Sequence, residues 1–307
     1  MRKVALDMVH QLSQRDPRVL FLGSDLGPGT LEPMRKEFPD RFFMEGVSEA
    51  NFIGMAAGLA MEGFVPYLNT IAPFFTRRAL EQIAVDLCLH NLPVRLISSG
   101  GGVVYAPLGP THLAIEDIAV MRALPNMTVV AVCDADEMRR LMEASLDWPG
   151  PIYIRLAKGG DPIVSEARHG FAIGKAIVIR PPTELLLVTT GVMLQAALKA
   201  ADLLAEQGIT VGILHMHTVK PLDMDALLKA AQPARLVVTL EEHLRSGGLG
   251  TAVLEGLSDA LSHVPPVVRL GLPDAFPKEY GSQDTMFDTF GLTPSKIAAA
   301  VAAAWRR

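Results

Sequence analysis

The chain has 307 residues, a length that suits two domains at roughly 150 residues each. Half of the residues are hydrophobic, 20% are charged and the net charge is −5, which suits a large core and excludes the basic face of a nucleic-acid-binding protein. Cys88 and Cys133 both lie in apolar stretches, with no CxxC pair or His/Cys cluster, so the sequence predicts no metal site and a reducing compartment.

The start, MRKVALDMVHQLSQRDPRVL, lacks an apolar core of signal-peptide length. No apolar run reaches the roughly 18 residues of a membrane span, so a cytoplasmic protein without membrane contact is expected. In chain order, Val19–Gly23, Val65–Asn69, Val94–Ser98, Thr128–Val132 and Ile152–Leu156 read as buried strands. Helical stretches fall between them near Glu49–Met61, Arg77–His90, Ala114–Ala123 and Ala135–Ser145. This alternation predicts an α/β domain on a parallel sheet, spanning residues 1–165. The rhythm breaks after Ala157, where glycines and prolines gather, and residues 166–182 read as a linker. A second, smaller α/β domain, residues 183–307, follows. Its strands are expected at Leu185–Thr190, Val211–His215, Arg235–Leu240 and Val267–Leu270, its helices at Ala196–Glu206, Leu249–Leu261 and Ser295–Trp305.

In a parallel α/β sheet, ligands sit beyond the carboxyl ends of the strands. Five segments fall there. Gly23–Thr30 is rich in glycine and small polar groups, as a connecting loop or a cradle of backbone N–H groups. In Glu45–Asn51, Ser48 is positioned to cap a helix and Glu49 falls in its first turn. The helix that follows is small-sided, through Gly54, Ala56, Ala57, Gly58 and Ala60, so it can pack closely on a partner and leave Glu49 dry. A carboxyl kept from water favours its protonated form and can donate a proton. In Thr70–Arg78, Phe74 and Phe75 adjoin at a strand end, as core or as a stacking surface. Residues 98–112 form a long Gly/Pro loop ending in His112, an acid/base or hydrogen-bonding candidate. Arg155 ends an otherwise apolar strand, to meet an anionic substrate or to form a structural salt bridge.

Motifs tie these segments together. Phe43-Met44-Glu45-Gly46-Val47-Ser48-Glu49-Ala50-Asn51 resembles the stretch around the catalytic Glu of the transketolase pyrimidine-binding domain. Gly109-Pro110-Thr111-His112, Glu116-Asp117 and Arg122-Ala123-Leu124-Pro125-Asn126-Met127 resemble the same family's GPTH…ED…RxxPNM region. His217-Thr218-Val219-Lys220-Pro221-Leu222-Asp223, Glu241-Glu242-His243 and Gly247-Gly248-Leu249-Gly250 resemble its C-terminal domain. The resemblance covers essentially the whole chain. It implies a thiamine diphosphate pyrimidine-binding fold followed by the smaller transketolase C-terminal α/β domain.

The resemblance also implies chemistry. Glu49 would hydrogen-bond the aminopyrimidine of thiamine diphosphate, with Phe74 or Phe75 stacking on the ring and Ile71 standing where the family often has a further Phe. His112 would hydrogen-bond reacting oxygens or relay protons. Arg155, and Arg2 in the first helix, match arginines of the substrate-phosphate site. Gly100 and Leu108 fall where the family carries a His and an Asp that touch substrate hydroxyls. An apolar Leu accepts no hydrogen bond, so the expected donor or acceptor differs from the common pentose phosphates. The family's GDG…N motif, which holds the diphosphate and Mg2+ or a similar divalent ion, is not found in this sequence. The reading is therefore the C-terminal subunit of a split transketolase, moving a two-carbon ketol unit from ketose to aldehyde. It would act with a separate N-terminal subunit carrying GDG…N, in an α2β2 assembly. The competing readings are the beta subunit of a 2-oxoacid decarboxylase or acyloin-forming enzyme, and a non-catalytic partner-binding paralogue.

Overall fold

A computed structural model of the chain describes residues 1–24, 30–157 and 159–307. Residues 25–29, from the first glycine-rich segment, and Lys158 lie outside the described residues.

The first domain opens with α1 (Arg2–Arg15), β1 (Val19–Gly23), α2 (Glu32–Glu37), β2 (Phe42–Met44), α3 (Glu49–Met61) and β3 (Val65–Ile71). A π-helical turn, Phe74–Arg78, leads into α4 (Leu80–Gln82) and a second π-helical stretch, Ile83–Cys88. Then come β4 (Arg95–Ser99), two 3-10 turns at Ala106–Leu108 and Pro110–His112, α5 (Asp117–Ala123), β5 (Thr128–Ala131), α6 (Ala135–Ser145) and β6 (Ile152–Leu156). The second domain holds β7 (Ile177–Arg180), β8 (Leu185–Thr189), α7 (Met193–Ala205), β9 (Gly212–His215), β10 (Thr218–Lys220), α8 (Met224–Ala231), β11 (Leu236–Leu244), α9 (Leu249–Ala260), β12 (Val267–Leu272), α10 (Gln283–Thr289) and α11 (Pro294–Trp305).

The first sheet has the order β10-β5-β6-β4-β3-β1-β2 and is parallel except for β10. Alternate residues of its strands feed opposite faces. Leu20 and Leu22 of β1 pack with Phe52, Ile53 and Ala56 of α3, while Phe21 packs with Leu6 and Val9 of α1 and Leu141 of α6. Covering both faces explains why every residue of β1 is buried. The second sheet has the order β12-β11-β8-β9-β7, parallel except for β7.

Two expectations need correction, and a third observation concerns α3. Residues 177–180, read as linker, form the edge strand β7, antiparallel to β9. The stretch read as one helix over Arg77–His90 is two π-helical segments around a short α-helical one. In α3, Ala56, Ala57 and Ala60 face the chain's own core, and Gly54 and Gly58 are the small residues left exposed.

The domains meet over buried polar groups. Glu137 of α6 accepts from the Cys133 N–H at 2.7 Å and lies 3.2 Å from Nε2 of His215 at the end of β9. Ligating atoms of Cys133, Glu137 and His215 all lie within 4.8 Å of one another, a His/Cys cluster that the sequence alone did not show. Glu137 bonds to the Cys133 backbone and to the His215 ring, and burial pushes the Cys133 thiol far up. No described helix is long and apolar enough to cross a membrane.

Candidate active site

Glu49 is the first residue of α3 and is only 1% exposed. Ser48 sits at the cap position, yet its hydroxyl donates to the Glu45 carbonyl at 2.7 Å instead of capping the helix. The Glu49 carboxyl is fixed by β3 and by the π-helical turn after it. The Thr70 hydroxyl donates to Oε1 at 3.2 Å, and Ser24, just beyond β1, donates to Thr70 at 2.8 Å. Nη1 of Arg78 donates to Oε2 at 2.6 Å. The sequence suggests a proton-donating Glu49; in this chain its carboxyl accepts two hydrogen bonds, one of them from a cation.

Phe74 and Phe75 separate cleanly. Phe75 is fully buried, edge-on to Phe52 with ring centroids 6.1 Å apart, in the cluster under α3. Phe74 is half-buried, with the Arg78 guanidinium carbon 4.2 Å from its ring centroid and the His112 ring 5.5 Å away, edge-on. Ile71, half-buried, ends β3 one residue after Thr70. π-helical turns commonly mark functional sites, because the extra residue re-aims side chains. Here the turn places Phe74, Arg77 and Arg78 around Glu49 and His112.

His112 closes the Pro110–His112 turn, and its Nδ1 lies 2.9 Å from the Thr111 hydroxyl. Arg77 ties this turn to the site by pairing with both oxygens of Glu116 and donating to the Leu113 carbonyl at 2.9 Å. The base of the loop is packed from below. Gly100 has φ 76° with the Tyr105 ring where a Cβ would stand, and Gly102 has φ 68° with the Glu242 carboxyl there. Both conditions favour glycine. Glu242, from β11 of the second domain, accepts from the Val103 N–H and from Gln283, each at 2.9 Å. Burial pushes its carboxyl up to about 7, against the opposing pull of the Arg155 guanidinium.

Arg155 does not face an open cleft. It is 4% exposed, pairs through Nε with Asp117 at 2.7 Å, and donates through Nη2 to the Glu242 carbonyl at 2.7 Å. Tyr153 donates to the same Asp117 oxygen at 2.8 Å. The structural salt bridge is therefore the arrangement found, with the buried guanidinium compensated by a carboxylate and a carbonyl. Arg2 begins α1, half-buried, with its Nε buried and unpaired among the described residues. Its helix start lies beside the loop after β6, where a Cβ on Gly159 would stand 3.4 Å from the Met1 nitrogen. Leu108 is 51% exposed at the tip of its turn.

The fold thus brings together Glu49, Ile71, Phe74 and His112, and places Phe75 in the core and Arg155 beneath the loop. Sequence reasoning missed Thr70, Arg77, Arg78, Glu116 and Glu242 as site-shaping residues. The Arg77-Arg78 pair after two Phe was the available signal.

The family description "Transketolase, pyrimidine binding domain" matches residues 1–160, and "Transketolase, C-terminal domain" matches residues 174–297. The chain therefore belongs to the transketolase family, whose members are transferases. It is 36% identical over 298 residues to an apulose-4-phosphate transketolase subunit of Phocaeicola vulgatus, covering 96% of this chain and 94% of that one. It is 35% identical over 302 residues to the 6-deoxy-6-sulfo-D-fructose transketolase subunit SqwH of a Clostridium species, covering 98% and 92%. A solved structure described as a split gene transketolase in an inactive beta4 tetramer superposes with a TM-score of 0.90 at 36% identity, over 99% of this chain and 97% of that one.

Proposed function

We propose that the chain is the pyrimidine-binding subunit of a two-chain transketolase that uses thiamine diphosphate. The observation that carries this reading is the buried Glu49 carboxyl, whose neighbours are an aromatic face and a planar cation at the strand ends. That set suits the aminopyrimidine end of the cofactor: a carboxyl for an in-plane hydrogen bond and a ring for stacking. When bound, the cofactor supplies the chemistry that accepts and hands on a two-carbon ketol unit. In this reading Glu49 holds a proton at the ring nitrogen, Phe74 stacks on the ring face, and Ile71 lines it. His112, beside Phe74, hydrogen-bonds the reacting oxygens.

The diphosphate and its divalent ion are assigned to a partner subunit with the GDG…N motif, in an α2β2 assembly in the cytoplasm. The two named transketolase subunits, matched along most of their length, support this reading over a 2-oxoacid decarboxylase. The convergence of Glu49, Phe74 and His112 supports it over a non-catalytic paralogue. Exposed Leu108 offers substrate an apolar surface, in keeping with a sugar other than the common pentose phosphates. Arg2 is kept as the candidate for a substrate anion.

The test is reconstitution. The chain alone, given thiamine diphosphate and Mg2+, is expected to transfer no ketol unit. With its partner it is expected to do so, and Glu49→Ala to abolish turnover. Activity of the isolated chain, or an unaffected Glu49→Ala complex, refutes the proposal.

A further inference from the structure

Arg77 and Arg78 are neighbours with different attachments. Arg77 is held by Glu116 and the Leu113 carbonyl, which is enough to explain it structurally. Among the described residues, the hydrogen bond that Arg78 makes through its side chain goes to Glu49. The same guanidinium lies over Phe74, 4.2 Å from the ring centroid. A guanidinium is planar, donates in its plane and stacks through its face. Its two contacts here are the two that the proposed function gives to the aminopyrimidine: a bond to the Glu49 carboxyl and a stack on Phe74. One carboxylate oxygen and one ring face cannot serve both at once.

We propose that Arg78 is a built-in occupant of the pyrimidine subsite, holding Glu49 and Phe74 in place in the free chain and leaving when the cofactor ring arrives. The inference rests on the reading of Glu49 and Phe74 given above. Displacement is easy for this residue. Its side chain is 43% exposed, so the charged head can swing into water on its apolar stem, while Glu49 stays sealed at 0%. The contact therefore fills the subsite and keeps its two walls in register. It also makes the cofactor compete with the protein's own side chain.

The experiment uses the reconstituted complex without cofactor, titrated calorimetrically with thiamine diphosphate at saturating Mg2+. Arg78→Met is expected to bind the cofactor about tenfold more tightly than wild type, and Arg78→Lys, which cannot stack and fork alike, to fall between them. In Arg78→Ala, added guanidinium ion at low millimolar concentration is expected to weaken cofactor binding again, whereas matched sodium chloride is not. Unchanged or weaker binding in Arg78→Met, or no response of Arg78→Ala to guanidinium, overturns the inference. Glu49→Ala separates the two levels. If Glu49→Ala keeps full cofactor affinity, the pyrimidine-site reading itself fails. If it loses affinity while Arg78→Met gains none, only the role of Arg78 falls.

Discussion

Oε1 of Glu242 accepts the backbone N–H of Val103 at 2.9 Å, so the second domain grips the base of the loop that carries His112 in the first. The same oxygen takes the amide of Gln283, and the backbone carbonyl of Glu242 takes Nη2 of Arg155.

This carboxyl makes stability depend on pH. Burial raises it to about 7, whereas an unfolded Glu titrates at about 4.3. Between those values the folded chain holds the proton more firmly, so the contribution is complete below about pH 4 and is lost as pH rises through 7. The wild type is expected to lose up to roughly 3 kcal/mol from this group between pH 4 and pH 8, and Glu242→Gln to lose none of it. Thermal melts of both proteins across that range check this. Parallel pH profiles for the two would contradict it.

The two adjoining phenylalanines are expected to fail differently. Phe75→Ala opens a cavity under α3 and is expected to destabilise the chain by about 3–5 kcal/mol. Phe74→Ala, at a half-buried site, is expected to leave the melting temperature nearly unchanged and to weaken cofactor binding in the complex. Denaturant unfolding and cofactor titration, run on both variants, separate the roles. A larger stability loss for Phe74→Ala than for Phe75→Ala is the adverse result.

Thr70 links Ser24 to Glu49 through its hydroxyl. Thr70→Val keeps the shape of the side chain and removes that link. A drop in turnover of about tenfold is expected, the weight of one hydrogen bond to a charged group. Thr70→Ser is expected to restore most of it. Steady-state rates of the complex decide, and equal rates for Val and wild type remove Thr70 from the site.

Arg77 and Glu116 hold the His112 turn against the π-helical turn. Glu116→Gln is expected to raise KM for the sugar several-fold while leaving affinity for thiamine diphosphate close to wild type, because the loop moves and Glu49 does not. A change confined to cofactor affinity would count against this division of labour.

Much of the architecture is legible in pattern. Val19–Gly23, Ile152–Leu156 and Glu49–Met61 are placed to the residue, because buried strands are mostly apolar runs and a helix start carries its own polar markers. Three-residue strands such as β2 and β10 leave no such trace. The π-helical turns are invisible for another reason. Their hydrogen-bond register depends on packing, and nothing in composition distinguishes it from an ordinary helix. Where a motif marks a residue, as at Glu49 and His112, the sequence leads to the strand ends; where a partner decides the fate of a side chain, it leaves the alternatives open. Arg155 ends its strand as an anion-binding arginine does, but Asp117, 38 residues earlier in the chain, neutralises it. Likewise Phe74 and Phe75 are equivalent in sequence, and only the turn of the backbone sends one inward.

Strand β10 belongs to the second domain by sequence, yet it is hydrogen-bonded to the edge of the first domain's sheet. Lys220 at its end also donates to the Arg122 carbonyl at 2.9 Å and to that of Leu124. Two lobes stitched by a shared ladder cannot open like the halves of a clam without tearing backbone bonds. Whatever approaches the strand ends therefore meets the two lobes as one anvil rather than as a pair of jaws.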